Sequence, residues 1–326
     1  MSSITGHSEI DTAPSGDFAG STSRRGDRVF AGLSVGSGAL VVALIAAVAV
    51  FLLARAIPSL AGDSANFLTD RVWNPGDNPP KFGIPDLLWV TVISSLVAMV
   101  ISVPVSVGVA LFLTQYAPPR LARPFAAAID LLAAVPSIVY GLWGAYIVLN
   151  YLTPVQNGIG TVLGWIPLFS LQHSPIPNSI FAGSVILSIM ILPIVTALSR
   201  EVFAQTPAAH KEAALALGAT RWEVIRTAVL PFGRPGVISA SMLGLGRALG
   251  ETIAVLFIIN SVPTFSWSIF TGGETFASRI ARDAGEFDTP QKTGAYIAAG
   301  LVLFVLTFAV NAVARIVIER RKAFTE

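Results

Sequence analysis

Cysteine is absent from the chain, which removes disulfide frameworks, thiol nucleophiles and Cys-ligated metals. Histidine is nearly absent: His7, His173 and His210 are too scattered to form a histidine metal site. Charge is scarce, with 12% of the 326 residues being Asp, Glu, Lys or Arg, against roughly 25% in a soluble globular chain. The two signs nearly balance, 21 basic residues against 19 acidic for a net charge of +2, and so even a balance argues against a nucleic-acid partner. The chain also lacks a Gly-x-x-x-x-Gly-Lys-Ser/Thr phosphate loop, so any nucleotide chemistry must sit on another polypeptide. What is abundant is apolar surface, 53% of all residues. The composition is that of a polytopic protein embedded in membrane lipid, and its few charges are the informative residues.

Residues 1–28, with six serines and four glycines and no apolar periodicity, read as a disordered arm. The remaining 29–326 form the membrane domain. From Val29 to Ala54 there are 26 uncharged residues in a row, too long for a secretory h-region of roughly 7–15 residues and suited to an uncleaved span. Further spans are expected near 87–116, 125–151, 179–199, 237–260 and 293–314. The third and fourth divide a charge-free stretch of 69 residues, Leu131–Ser199, leaving Ile159–Leu171 as a short interfacial or re-entrant piece. Pro104, Pro136 and Pro193 fall inside spans two to four, as kinks or as part of a pathway. An all-α fold with six spans puts both termini on one side. Fourteen basic residues fall on that side and six on the other, so the positive-inside rule makes it the cytoplasm.

The loop before the fifth span is the best-patterned segment. Thr206 suits an N-cap with Pro207 behind it, and the alanine-rich run to Leu217 favours helix. Gly218 suits a left-handed stop. Thr220 and Glu223 form a capping box for a second helix, which Pro231 is expected to end. Two short helices over 207–230, with Ala213, Ala214, Leu217, Trp222, Ile225 and Val229 as apolar contacts, make a docking element for a cytoplasmic partner or a passive loop on lipid.

Arg247 falls about ten residues into the fifth span, roughly 15 Å of helix and near the centre of a hydrocarbon core about 30 Å thick. Arginine there costs roughly 2.5–3.5 kcal/mol on insertion scales, so it should face a partner or a wet cavity. Glu251 follows at i+4, on the same face if the helix continues. The pair either neutralises itself or binds substrate. Arginine offers a planar fork for an oxyanion, and a glutamate beside it tolerates only an anion that carries a proton. Phosphate does at neutral pH; sulfate does not. So nearly neutral a pair calls for a second cation, expected from another subunit. Gly246 and Gly250 form a small-xxx-small ridge for close helix approach. Ser137 and Tyr140 are hydroxyl donors that line a path or bond a neighbouring helix. Asp130 is expected to pair with a basic residue, and His173 to be solvated. The mixed charges of Glu274, Asp283, Glu286 and Asp288 with Arg279 and Arg282 read as a solvated loop or a docking site for a binding protein.

Glu212-Ala213-Ala214, Gly218 and Leu230-Pro231 together resemble the EAA loop of ABC importer permeases. Alanine at 228 replaces the usual isoleucine. Gly244-Leu-Gly-Arg-Ala-Leu-Gly-Glu-Thr252 and Pro136-Ser-Ile-Val-Tyr-Gly-Leu-Trp-Gly144 resemble segments of phosphate-specific ABC permeases. Trp73-Asn-Pro-Gly with Phe82-Gly-Ile84 is similar to the C-type rather than the A-type paralogue. The resemblance covers about Asp27 to Arg321. It implies a type I ABC importer permease (MetI-like) fold in the bacterial plasma membrane, paired with an A-type permease, two ATP-binding subunits and an extracytoplasmic phosphate-binding protein. It implies a substrate path at Arg247, Glu251 and Thr252 with Ser137 and Tyr140. Coupling to the ATPase would run through Glu212, Ala213, Ala214, Gly218, Trp222 and Pro231. The chain itself is expected to be no enzyme and to bind no cofactor or metal, ATP and magnesium being used by the partners. The rivals are a permease for molybdate or sulfate, an ATP-independent channel or proton-coupled transporter, and an intramembrane enzyme, which the absence of histidine and cysteine from the spans disfavours.

Overall fold

The structure, a computed structural model, describes residues 25–171 and 176–322. The expectations for residues 1–24 of the arm and for His173 lie outside the described residues. The described residues divide between two units at the boundary between Phe51 and Leu52. The first helix, α1 (Arg25–Gly62), begins in the first unit.

After α1 the chain forms a two-residue antiparallel ladder, β1 (Trp73–Asn74) on β2 (Lys81–Phe82), with Trp73 opposite Phe82. Phe82 is fully buried and meets Phe67 and Trp73 edge-on. Helix α2 (Pro85–Leu111) opens with proline in its first turn and Asp86 beside it, both favoured at a helix start. It runs through Pro104 and widens into a π-helical turn at Phe112–Tyr116.

The next helices differ from the hydropathy reading. An amphipathic α3 (Pro119–Ala133), with no buried residue, ends at Ala134, and α4 (Ser137–Trp143) begins after Pro136. Proline disfavours helical geometry in the residue before it, so Pro136 is a helix boundary here and not a kink. Helix α4 continues through a π turn at Gly144–Val148 into α5 (Leu149–Leu163). The third long apolar helix is therefore Ser137–Leu163, twelve residues beyond the start expected at 125. Ile159–Leu163 belongs to it and does not re-enter, and a 3-10 turn follows at Pro167–Phe169.

Helix α6 (Ile180–Ala204) is the centre of the bundle. In its most apolar window 72% of residues are buried, against 17–33% for the long helices around it. It packs chiefly on α2 and on α9 (Leu230–Leu249). Ile191, Leu187 and Ala98 lie in the main core, and Ser106 of α2 donates to the Leu192 carbonyl at 3.1 Å, next to Pro193. Such cross-helix hydrogen bonds hold helices where lipid gives no hydrophobic drive to associate. Gly233, Gly236 and Gly244 of α9 allow the close approach: a Cβ there would sit, in that order, 2.5 Å from Phe203, closer still to Val202, and 2.9 Å from Val195 of α6. The expected Gly246–Gly250 ridge is not used this way, since a Cβ at Gly246 would meet nothing within 4 Å.

Two short helices, α7 (Ala208–Ala216) and α8 (Arg221–Val224), precede α9, and a π turn at Ile225–Val229 joins α8 to it. The helix thus passes through Pro231 instead of ending there. The Leu230 amide bonds the Ile225 carbonyl, five residues back, and the widened turn accommodates a proline that would otherwise clash with the turn before it. The chain then breaks at Gly250–Thr252, resumes as α10 (Ile253–Ile258), and reaches α11 (Phe276–Arg282) and α12 (Pro290–Lys322). The fifth long apolar helix is Arg221–Leu249, not 237–260.

Candidate functional site

Arg247 occupies the last turn of α9, where the exposed carbonyl ends of the helix favour a cation. Its side chain lines a cleft of about 1130 Å³ bounded by α6, α9 and α12. Ser239 and Gly246 line the same cleft from α9, and Phe308, Asn311 and Arg315 from α12. The Arg247 Nε is buried without a hydrogen-bond partner, and no carboxylate lies within ion-pair distance of it among the described residues. A half-buried guanidinium with its Nε left this way has unspent donors for an oxyanion.

Glu251 is not its helical neighbour. The helix stops at Leu249, with Gly250 as its C-cap bonded back to Gly246, so the expected i+4 pairing on one face is lost. Glu251 is buried, and its Oε1 accepts the Ala254 amide at 3.2 Å, capping α10. Thr252 stands at the N-terminal boundary of α10 and donates to the Gly250 carbonyl at 3.2 Å.

Helix α4 lies against α10, close enough that a Cβ on Gly141 would come 2.9 Å from the Ala254 Cα. Ser137 is its half-buried first residue. The buried Tyr140 donates its hydroxyl to the Leu132 carbonyl at 2.9 Å, stapling α3 to α4 across the Pro136 break. Of the five residues expected on a path, Arg247 alone lines the cleft. The other four cluster at the α4–α10 contact and the Gly250 break.

Asn311, Arg315 and Ser239 were missed as residues that line the same cleft as Arg247. The signal was available in spacing: Phe308, Asn311 and Arg315 fall at i, i+3 and i+7, one helical face. The break at Gly250 was also legible, as a glycine stop followed by an acid and a threonine.

The loop before α9 forms a self-contained turn. Gly218 has φ of +82°, a left-handed conformation that glycine adopts without the Cβ penalty. The Gly218 amide bonds Leu215 O at 2.9 Å and the Ala219 amide bonds Ala214 O at 3.1 Å, closing the Schellman pattern. Thr220 and Glu223 cap each other reciprocally. Thr206 does not cap as expected: Pro207 holds the N-cap position, and the buried Thr206 hydroxyl has no partner. Ile225 and Val229 anchor the loop on Phe203, Ala110 and Leu111. The outer face stays open, with Leu217 90% and Trp222 56% exposed, and Glu212, Ala213 and Pro231 exposed beside a half-buried Ala214. Apolar groups displayed around a rigid turn suit a docking surface.

Asp130 pairs with Arg200 at 3.3 Å. The mixed-charge segment is not simply solvated. Glu274 is buried between Arg279 (2.5 Å) and Arg282 (3.0 Å), and Arg279 Nε lies 2.7 Å from Asp283. Burial alone would lower the Arg279 pKa, but its bond to Glu274 and the nearby Asp283 raise it overall. Tyr296 of α12 donates to Asp283 at 2.7 Å, so the network ties α11 to α12.

Residues 102–323 match the family described as binding-protein-dependent transport system inner membrane component. The chain is 54% identical over 296 residues to a Mycobacterium bovis protein named phosphate transport system permease protein PstC 2, covering 90% of this chain and 91% of that one. It is 55% identical over 271 residues to the Mycobacterium leprae phosphate transport system permease protein PstC, covering 82% and 85%. In fold it is similar to a chain of the MetNI methionine ABC transporter in an inward-facing conformation, with a TM-score of 0.52 at 15% identity over 72% of this chain and 94% of that one. Six long apolar helices and a permease role rather than an enzymatic one agree with these matches. The chain is a multi-pass plasma-membrane protein of the binding-protein-dependent transport family, and within that family it belongs to the PstC permeases.

Proposed function

We propose that the chain is the C-type transmembrane subunit of an ATP-driven importer of inorganic phosphate. It would form the path with an A-type permease, receive phosphate from an extracytoplasmic binding protein and be driven by two ATP-binding subunits that carry the ATP and magnesium. The observation that supports this most is Arg247, a cation with a buried, unpartnered Nε at a large cleft, in a chain 54% identical to a phosphate transport permease. With 14 basic residues on the side of the 207–230 loop and six opposite, that loop and both termini face the cytoplasm.

In this reading phosphate exchanges its hydration for the Arg247 fork. Glu251 keeps one oxygen on the Ala254 amide and offers the other to the proton of the P–OH, favouring phosphate over sulfate. Ser137, Tyr140 and Thr252 shape the path by fixing the ends of α4 and α10. Coupling runs through Glu212, Ala213, Ala214, Trp222 and the Gly218 turn on one face, and through the unbroken helix past Pro231 into Arg247 on the other. Radiolabelled phosphate uptake tests this. Arg247→Ala and Glu212→Ala should each reduce uptake at least tenfold, ATP depletion should stop it, and excess sulfate or molybdate should not compete. Normal uptake in both variants would overturn the assignment of these residues. Uptake indifferent to ATP would overturn the ABC mechanism.

A further inference from the structure

We infer that Arg315, with Asn311 beside it, forms a second anion station in the Arg247 cleft, on the cytoplasmic side of Arg247. The inference rests on the phosphate reading above and extends it. Both residues line the same cleft as Arg247. Among the described residues the lining contains two arginines and no carboxylate, so its fixed charge matches a doubly charged hydrogen phosphate. Arg247 has no ion-pair partner among the described residues. Glu251, expected to neutralise Arg247 on a continuous helix, makes no ion pair with it among the described residues and keeps Oε1 on the Ala254 amide.

The stations are ordered along the helices. Ser239, which also lines the cleft, lies two turns before Arg247 on α9, roughly 12 Å toward the 207–230 loop at 1.5 Å per residue. Arg315 sits near the end of α12, with Asn311 one turn back toward Phe308. The polar strip thus leads from the end of α9 toward the cytoplasmic mouth. A single strong site would hold its anion, whereas a second cation lets the anion leave the first without becoming fully unpaired. The need for a second cation, expected from a partner subunit on charge grounds, is met within this chain. The shared chemistry is a phosphoryl group bearing negative charge, supplied by free phosphate or by a lipid headgroup reaching the mouth. We commit to free phosphate.

The lack of cysteine in the chain makes a charge-restoration experiment direct. In the complete transporter, with reactive cysteines of the other subunits removed, Arg315→Cys should lower the initial rate of phosphate uptake at least fivefold. Modification with a trimethylammonium methanethiosulfonate should restore most of it, and modification with a sulfonate methanethiosulfonate should not. Millimolar inorganic phosphate should slow the labelling, and short-chain phosphatidylglycerol should not. Co-purification of the subunits checks assembly; if Arg315→Cys does not assemble, Arg315→Gln against Arg315→Lys carries the same contrast, with lysine retaining more uptake. Wild-type uptake in the Arg315 variants, restoration by neither reagent or equally by both, or protection by the lipid alone would overturn the inference. Arg247→Ala is measured in parallel: its loss with Arg315→Cys unaffected sinks the second station only, and its normal uptake sinks the phosphate-path reading itself.

Discussion

A carboxylate that caps a helix and one that reads a proton are separable by exchanging a single atom. Glu251 holds the Ala254 amide through Oε1, and glutamine keeps an oxygen that can accept the same bond while losing the charge. Glu251→Gln should therefore assemble normally yet discriminate phosphate from sulfate less well, read as at least a threefold gain in inhibition of uptake by sulfate. Glu251→Ala should also lose the cap, at a cost of about 0.5–2 kcal/mol, visible as a lower unfolding temperature of the detergent-solubilised complex. If glutamine and alanine behave alike in selectivity and in stability, Glu251 acts through its position in α10 and not through its charge. Arg247 asks for a different control. Arg247→Lys keeps a charge but loses the planar fork, so uptake should fall below wild type while exceeding that of Arg247→Ala.

At the scale of elements, the 207–230 loop is where local chemistry and final structure agree most closely, because its determinants are local. Gly218, Thr220 and Glu223 act on backbone groups within five residues. Gly218→Ala isolates this: no atom lies within 4 Å of the added Cβ, so its cost is the left-handed backbone alone, roughly 1–2 kcal/mol. Amide exchange at residues 218 and 219 should speed about five- to thirtyfold while exchange in α6 stays unchanged, and uptake should fall in step if the turn carries the motion. The spans were legible where a charge or a proline-acid start marked them, as at Pro85-Asp86. They were not legible inside Leu131–Ser199, where hydropathy measures affinity for lipid and says nothing of backbone continuity. The break at Pro136 and the continuous helix through Pro231 reverse what counting prolines suggests, because a π turn precedes Pro231 and none precedes Pro136. The same blindness affected the site. Arg247 stood out by its rarity in an apolar run, whereas Arg315 was hidden among the basic residues that close a span.

For the whole molecule, some of the few ion pairs join separate elements. Asp130–Arg200 ties α3 to α6, and the Glu274 network ties α11 to α12 through Asp283 and Tyr296. Glu274 is 7% exposed while Arg279 and Arg282 keep some contact with water, so the value of the joint lies between that of a surface pair and a fully buried one. Glu274→Gln leaves two arginines facing a neutral amide and should cost about 2 kcal/mol, a fall of several degrees in the unfolding temperature of the purified complex. Arg279→Ala in the same background should recover part of that loss, because it removes one of the stranded charges. A partner docking on these acids predicts the opposite pattern: Glu274→Gln would leave the unfolding temperature unchanged and weaken only binding-protein-dependent uptake. The two measurements together decide whether this cluster is a joint of the bundle or a surface for another protein, and the burial of Glu274 favours the joint.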